Sequence, residues 1–460
     1  MAKTAETKAL VGYLPQDVPP FGSMLSLGLQ QVLTMFPATV LVAILTKFDI
    51  GVTLMASGIG TIVALLVSGR RIPMYYGSSF SYLTITMSVM AMYDNACFTS
   101  TATYCPGGVR LVQVGIMGTA VVEILVGLLI MSIGKEALDK VLPPVVTGSV
   151  AIIIGIALAG TALSEASQNW AVAFITLFFT IAFSVYLQGK GLVGMLPILF
   201  GAIIGWLVSL PFGLIDFSKI AAESWVRLPN VTLPAFTDPR AWGACLSIAL
   251  IAVATVPEST AHIYQMSLYI DQLALEVGKK PIEIKRLVGL NLVADGSDDL
   301  VVGFLGGCPG TNYGENNSLM AITRNYSVAV LITAGVIAIL LGFIGKLAGV
   351  VETLPNAVVG GLSIYLFGVI GMQGVALIQS EKVNLFDPKE LAVGAIILVL
   401  GIGGALGLAN GMFPFPIPVI FPNGIPAIVF AAFVGIILNA FFLIIKPKWF
   451  GVDERANINE

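Results

Sequence analysis

Apolar runs of about 20 residues follow one another from residue 24 to residue 445, with only short polar breaks. A run of that length is what a helix needs to cross the ~30 Å hydrocarbon core of a bilayer. The runs read as spans near 24–45, 51–68, 77–92, 110–132, 143–163, 169–187 and 192–214, then 241–263, 288–305, 313–323, 325–345, 355–378, 389–408 and 425–445. The chain therefore reads as an all-α polytopic membrane protein of 14 transmembrane segments, in two sets of seven. Its 460 residues are 57% hydrophobic and 11% charged, against about 25% charged in a soluble domain. The lipid bilayer is the expected partner. A net charge of −3 with no basic tract excludes nucleic acid, which needs clustered Lys and Arg.

Two of these segments are broken, and each is the third of its set. Pro73 to Phe80 and Pro309 to Arg324 share a Pro…Tyr-Gly pattern, with Tyr76 and Tyr313 about 237 positions apart. Gly58 and Gly69 match Gly296 and Gly307 at nearly the same offset. Downstream, Ile133-Gly134-Lys135 with Leu142-Pro143 is echoed by Ile344-Gly345-Lys346 with Leu354-Pro355. The shared order indicates an internal repeat. Seven is odd, so the second repeat enters the membrane from the opposite side and the repeats are inverted.

The positive-inside bias places the amino terminus in the cytoplasm. That orientation puts Arg70, Arg71, Lys135, Lys140, Lys279, Lys280, Lys285, Arg286, Arg324, Lys446 and Lys448 inside. The expected organisation is a cytoplasmic segment 1–23, a first repeat 24–214, an extracellular loop 215–240, a second repeat 241–445 and a cytoplasmic tail 446–460. Residues 264–287 read as an amphipathic cytoplasmic connector, either a plain linker or an element coupled to gate motion. Cys97 and Cys105 share one polar loop, as a disulfide or as two free thiols, while Cys245 and Cys308 lie in apolar segments. No metal-ligand pattern results, and no cofactor is expected.

Helix breaks are tolerated in a membrane where they are buried in protein or line a cavity. Tyr76-Gly77-Ser78-Ser79 and Tyr313-Gly314 thus read as extended stretches leading into half-helices, whose amino ends would converge and aim N–H groups at a polar ligand. Phe80 with its neighbour Ser79, and Gly314 with Tyr313, are the candidates that act by backbone. Glu315 is the candidate side chain, since an ionisable group inside a span is functional by default. Glu258 stands four residues before His262, the only histidine, which puts both on one helix face as a pair able to exchange a proton. A histidine that merely bonds a loop is the plainer alternative. Asp295, Asp298 and Asp299 read as capping the cytoplasmic start of the ninth span and facing water, with Asp295 a candidate for coupling. Glu123 fits either a helix–helix hydrogen bond or a cavity. No nucleophile motif, metal cluster or phosphate loop supports an enzyme.

Leu29-Gln30-Gln31, Met35 to Val42, Tyr76 to Phe80 and Tyr313-Gly314-Glu315-Asn316-Asn317-Ser318 through Arg324 together resemble the nucleobase/ascorbate transporter family, and within it the bacterial uracil/proton symporters. The resemblance covers nearly the whole chain. It implies a core domain of spans 1–4 and 8–11 and a gate domain of spans 5–7 and 12–14, with short strands in the third and tenth segments. It also implies a substrate held by Phe80 and Gly314 through backbone and by Glu258 and Glu315 through side chains, with His262 as proton-coupling neighbour. Asn316, Gln31 and Phe367 are further candidates by the same likeness. It implies proton symport, with sodium left open, and homodimers joined through gate domains in the cell membrane. Ser318, Gln30-Gln31 and Phe367, with Tyr365 nearby, depart from common family residues. Glu315 favours uracil-type carriers, whereas Asp295-Gly296 resembles the xanthine branch. An anion exchanger or channel on the same architecture is the reading from another class.

Overall fold

Short paired strands sit where the two broken segments meet in the computed structural model, which describes residues 12–100, 102–134, 143–416 and 424–445. The first half runs through α1 (Phe21–Thr46), α2 (Ile50–Val67), β1 (Tyr76–Ser78), α3 (Leu83–Tyr93), α4 (Pro106–Ile133), α5 (Pro144–Ala157), α6 (Ala159–Ser167), α7 (Trp170–Tyr186) and α8 (Pro197–Ser209). The second continues with α9 (Pro239–Ala249), α10 (Ala252–Glu276), α11 (Val288–Leu305), β2 (Gly310–Asn312), α12 (Gly314–Thr323), α13 (Val328–Gly342), α14 (Gly345–Glu352), α15 (Asn356–Ser380), α16 (Pro388–Leu398), β3 (Met412–Phe413), β4 (Ile425–Pro426) and α17 (Ala427–Ile444).

Each apolar run of the sequence is helical over most of its length. Among the described residues seven helices are long and apolar enough to cross a membrane, and α9 with α10, bent by 45°, would make an eighth. The other runs give shorter apolar helices, the ten-residue α12, or α11, whose 18 residues carry three aspartates. The expected tail 446–460, residues 1–11 of the amino-terminal segment, and Lys135, Lys140, Lys446 and Lys448 lie outside the described residues.

β1 and β2 pair antiparallel, Tyr76 opposite Asn312 and Ser78 opposite Gly310. Pairing extends one bond at each end, Ser79 N to Pro309 O and Tyr313 N to Tyr75 O, both 2.9 Å. Each strand satisfies the other's backbone where water is absent. The outer edges are covered from the helices behind them. Ser57 and Thr61 of α2 donate to Tyr76 O at 2.8 and 2.9 Å, and Gly310 N donates to Asp299 Oδ1 of α11 at 2.7 Å.

Those two supporting helices are held through glycine. Gly51 and Gly58 of α2 face Gly342 and Gly335 of α13, and a Cβ on Gly58 would lie 2.3 Å from Gly335 O. Likewise Gly289 and Gly296 of α11 face Gly127 and Ala120 of α4, with 2.6 Å to each carbonyl. Small residues seven apart let the backbones touch, which is how helices associate when lipid offers no hydrophobic drive.

The extensive contacts fall into two sets. One joins α1, α2, α4, α9, α11 and α13 around the strand pair, with α3, α10 and α12 attached; the other joins α5 to α8 with α15 to α17. Cys97 and Cys105 are joined in a disulfide, which decides between the two states the sequence allowed. Within the expected connector 264–287 the helix of the eighth span continues. α10 runs unbroken to Glu276, so residues 264–276 extend that helix, and Asp271 then folds the return by accepting from Ile282 N and Glu283 N at 2.6 and 2.8 Å.

Candidate functional site

The half-helices after β1 and β2 begin at opposite ends of the antiparallel strand pair, where Ser78 lies opposite Gly310 and Tyr76 opposite Asn312, and α10 reaches both starts. Ser79 caps the first turn after β1, its hydroxyl accepting from Ser81 N at 3.2 Å. Phe80 opens that 3-10 turn and is half-buried. Tyr313 occupies the cap position of α12 and is buried. Its hydroxyl donates to Ser78 O at 2.7 Å and meets Thr39 Oγ1 of α1 at 3.0 Å. The ring lies so close to β1 that a Cβ on Gly77 would be 2.7 Å from it. Tyr313 therefore locks the crossing of the strands.

α10 brings the third part. Pro257 lies inside this helix, removing one backbone donor just before Glu258. Glu258 Oε2 accepts from Ser81 Oγ at 2.9 Å, so it reaches across to the start of the first half-helix. One turn on, His262 Nδ1 lies 2.5 Å from Asn312 Oδ1 at the end of β2. Asn312 Nδ2 donates to Ser259 Oγ at 2.7 Å, and Asn291 Nδ2 of α11 donates to the same hydroxyl oxygen at 2.8 Å. With the Asn312 oxygen facing Nδ1, the proton belongs on Nδ1 and Nε2 is left as acceptor. Nε2 would lie 3.1 Å from a Cβ on Gly314. Glu315, in the first turn of α12, is exposed, and His262 and Glu315 both stand near enough to Glu258 to influence it electrostatically.

The structure thus gathers Ser79, Phe80, Glu258, His262, Tyr313, Gly314 and Glu315 around two helix starts, whose first N–H groups have no partner within their own helices. Asn316 and Gln31 are brought together as a tie. Asn316 Nδ2 donates to Gln31 O at 3.0 Å and to Gln31 Oε1 at 2.7 Å, both side chains being buried. Phe367 is buried in the seam of α15 and α5, where its backbone carbonyl would meet a Cβ on Gly155 at 2.5 Å. The nearby Tyr365 hydroxyl bonds Ser184 of α7.

The three aspartates correct the sequence reading. Asp295, Asp298 and Asp299 do not cap α11 or face water, because α11 begins seven residues before Asp295 and all three are at most 1% exposed. Asp299 accepts from the Tyr82 hydroxyl at 2.6 Å as well as from Gly310 N, so it braces both broken segments. Asp298 lies against Gly60 and Gly310. The Ser259 and Thr311 hydroxyls face Asp295, and the charge of Glu258 acts on it. Glu123 resolves as a helix–helix contact, accepting from Thr255 Oγ1 of α10 at 2.5 Å.

Ser81, Asn312 and Ser259 were not singled out from sequence. Asn312 adjoins Tyr313 and Ser259 adjoins Glu258, but a neutral side chain next to a charged one carries no sequence signal of its own. Among the described residues no cluster of three His, Cys, Asp or Glu could hold a metal ion.

The Xan_ur_permease profile, described as a permease family, matches residues 22–409. A uracil permease of Bacillus caldolyticus is 34% identical over 437 residues, 92% of this chain and 93% of the relative. A uracil permease of Escherichia coli strain K12 is 31% identical over 400 residues, 84% and 86% of the two chains. Among solved structures, the transmembrane domain of the cyanobacterial bicarbonate transporter BicA aligns with a TM-score of 0.53 at 15% identity, covering 91% of this chain and 96% of that one. The murine Solute Carrier 26 family member A9 anion transporter, in its inward-facing state, aligns with a TM-score of 0.65 at 11% identity, covering 94% and 70%. At that identity the likeness is one of fold. The profile and the relatives together span most of the sequence, and the chain belongs to this permease family, the nucleobase/ascorbate transporters.

Proposed function

We propose that the protein is a secondary active transporter that takes up a nucleobase, uracil first, together with a proton. The observation that carries this reading is that α10 sets Glu258 against the start of one half-helix and His262 against the start of the other, where Gly314 and Glu315 stand. Uracil presents N–H donors and carbonyl acceptors around a flat ring. Carboxylates answer the donors and helix-start N–H groups answer the acceptors. A carboxyl that must carry a proton to donate as well as accept would tie proton binding to substrate binding, and His262, four residues from Glu258, is the neighbour to exchange it. Asp295 is a further coupling candidate because its charge and that of Glu258 interact. The relatives named uracil permeases, aligned over nearly their whole length, support the pyrimidine.

The two packing sets support a core of spans 1–4 and 8–11 and a gate of spans 5–7 and 12–14. The glycine seams support an inverted repeat of fourteen segments, since the second span packs on the eleventh and the ninth on the fourth. Rocking of core against gate around the shared site gives alternating access. In this reading the protein spans the cell membrane with both termini cytoplasmic, pairs through its gate domains, and needs no cofactor.

Uptake of labelled uracil challenged by thymine, cytosine, xanthine and guanine tests the substrate. Uracil and thymine should compete best; preference for xanthine would move the assignment to the purine branch. The fold's likeness to bicarbonate and other anion transporters suggests an anion reading, against which stand Glu258 and Glu315, whose negative charges repel an anion.

A further inference from the structure

A cavity of about 530 Å³ lies between α3 on one side and α5, α6 and the β3–β4 ribbon on the other, within the ~300–1,000 Å³ range of small-molecule sites. One face of α3 forms its polar wall. Thr84 and Ser88 line it at helical spacing, with Asn95 just past the helix end, and they continue the line of Ser81, whose hydroxyl holds Glu258. The cavity therefore begins one turn from the candidate site. Thr84 Oγ1 makes no hydrogen bond and is covered in this state, a costly condition for a hydroxyl that a ring carbonyl or N–H would relieve once the walls of the cavity part. Ser88 donates to Thr84 O at 2.8 Å, and its oxygen keeps acceptor capacity. Met412 and Phe98 add surface that suits a flat ring.

The far end is marked by chemistry. Asn95 and Phe98 bracket Cys97, which is bridged to Cys105. Disulfides persist in oxidising compartments, so this end opens on the non-cytoplasmic face. The two walls also belong to different packing sets, α3 to one and α5, α6 and α17 to the other, so relative movement of the sets would widen or pinch the space between them.

We propose that this cavity is the outer vestibule of the transport route, and that Thr84 and Ser88 form in it a transient hydrogen-bonding subsite for a flat heterocycle on its way to Glu258. The proposal rests on the transport reading above. Its test uses the full chain with Cys245 and Cys308 replaced by alanine and the Cys97–Cys105 bridge kept. In intact cells, Ser88→Cys should react with a membrane-impermeant, charged methanethiosulfonate, and saturating uracil should slow that reaction. Thr84→Val should raise the uracil concentration for half-maximal uptake about tenfold, the size of one lost hydrogen bond, with kcat little changed. Ser88→Cys that resists the reagent from outside, or reacts at the same rate with uracil present, overturns the vestibule. So does Thr84→Val with an unchanged half-saturating concentration. Absence of any nucleobase uptake by the unsubstituted chain would instead defeat the transport reading.

Discussion

At the scale of residues, the site is a set of side chains aimed by others. Asn312 presents its oxygen to His262 and its amide to Ser259, so it fixes which imidazole nitrogen is free. Asn312→Ala should lower uracil uptake about 10–100-fold, the range for losing a hydrogen bond to a charged group, and flatten its dependence on external pH. Uptake at several pH values by variants of matched membrane abundance checks this. Glu123 gives a structural counterpart. Thr255→Val keeps the shape of the threonine but leaves a buried carboxylate with no donor, at a cost of about 1–3 kcal/mol. The purified variant should melt at lower temperature while its affinity for uracil changes little.

At the scale of elements, the strand pair and the glycine seams set where those side chains stand. A methyl at Gly58 would meet Gly335 O at 2.3 Å, a contact no side-chain rotation relieves because both partners are backbone. Gly58→Ala should therefore push α2 from α13, loosen the support that Ser57 and Thr61 give to Tyr76, and reduce both the melting temperature and uptake. Thermal-shift and uptake measurements on one preparation check the two together. The elements were largely legible in the sequence. Prolines 73 and 309, with Tyr-Gly after each, marked where helix gives way to strand, and the apolar run 288–305 coincides with α11. The continuity of α10 from the eighth span to Glu276 was not legible, because Asp271 and Glu276 are charged positions past the apolar run; Asp271 accepts from Ile282 N and Glu283 N, and Glu276 pairs with Arg324. Nor was the burial of Asp295, Asp298 and Asp299. Clustered acids read as solvated, and only the fold shows Tyr82 and the Gly310 amide reaching Asp299 and Gly60 making room for Asp298.

At the scale of the whole molecule, the two helix sets meet where α5 packs against α10 and the Phe80–Tyr82 turn, the elements that carry the Glu258–Ser81 contact, and the lone histidine sits between β2 and α12. In the proposed function, the carboxylates and the imidazole at that meeting serve proton-linked recognition of a neutral, hydrogen-bonding ring, and transport depends on a pH gradient as a property of the assembled chain. The direct measurement is accumulation of labelled uracil in proteoliposomes under an imposed inside-alkaline pH gradient, for the unsubstituted chain and for Glu315→Ala. The unsubstituted protein should concentrate uracil above the external level, lose that accumulation when a protonophore collapses the gradient, and lose it on Glu315→Ala. Accumulation that survives the protonophore or persists undiminished in Glu315→Ala would contradict the assignment.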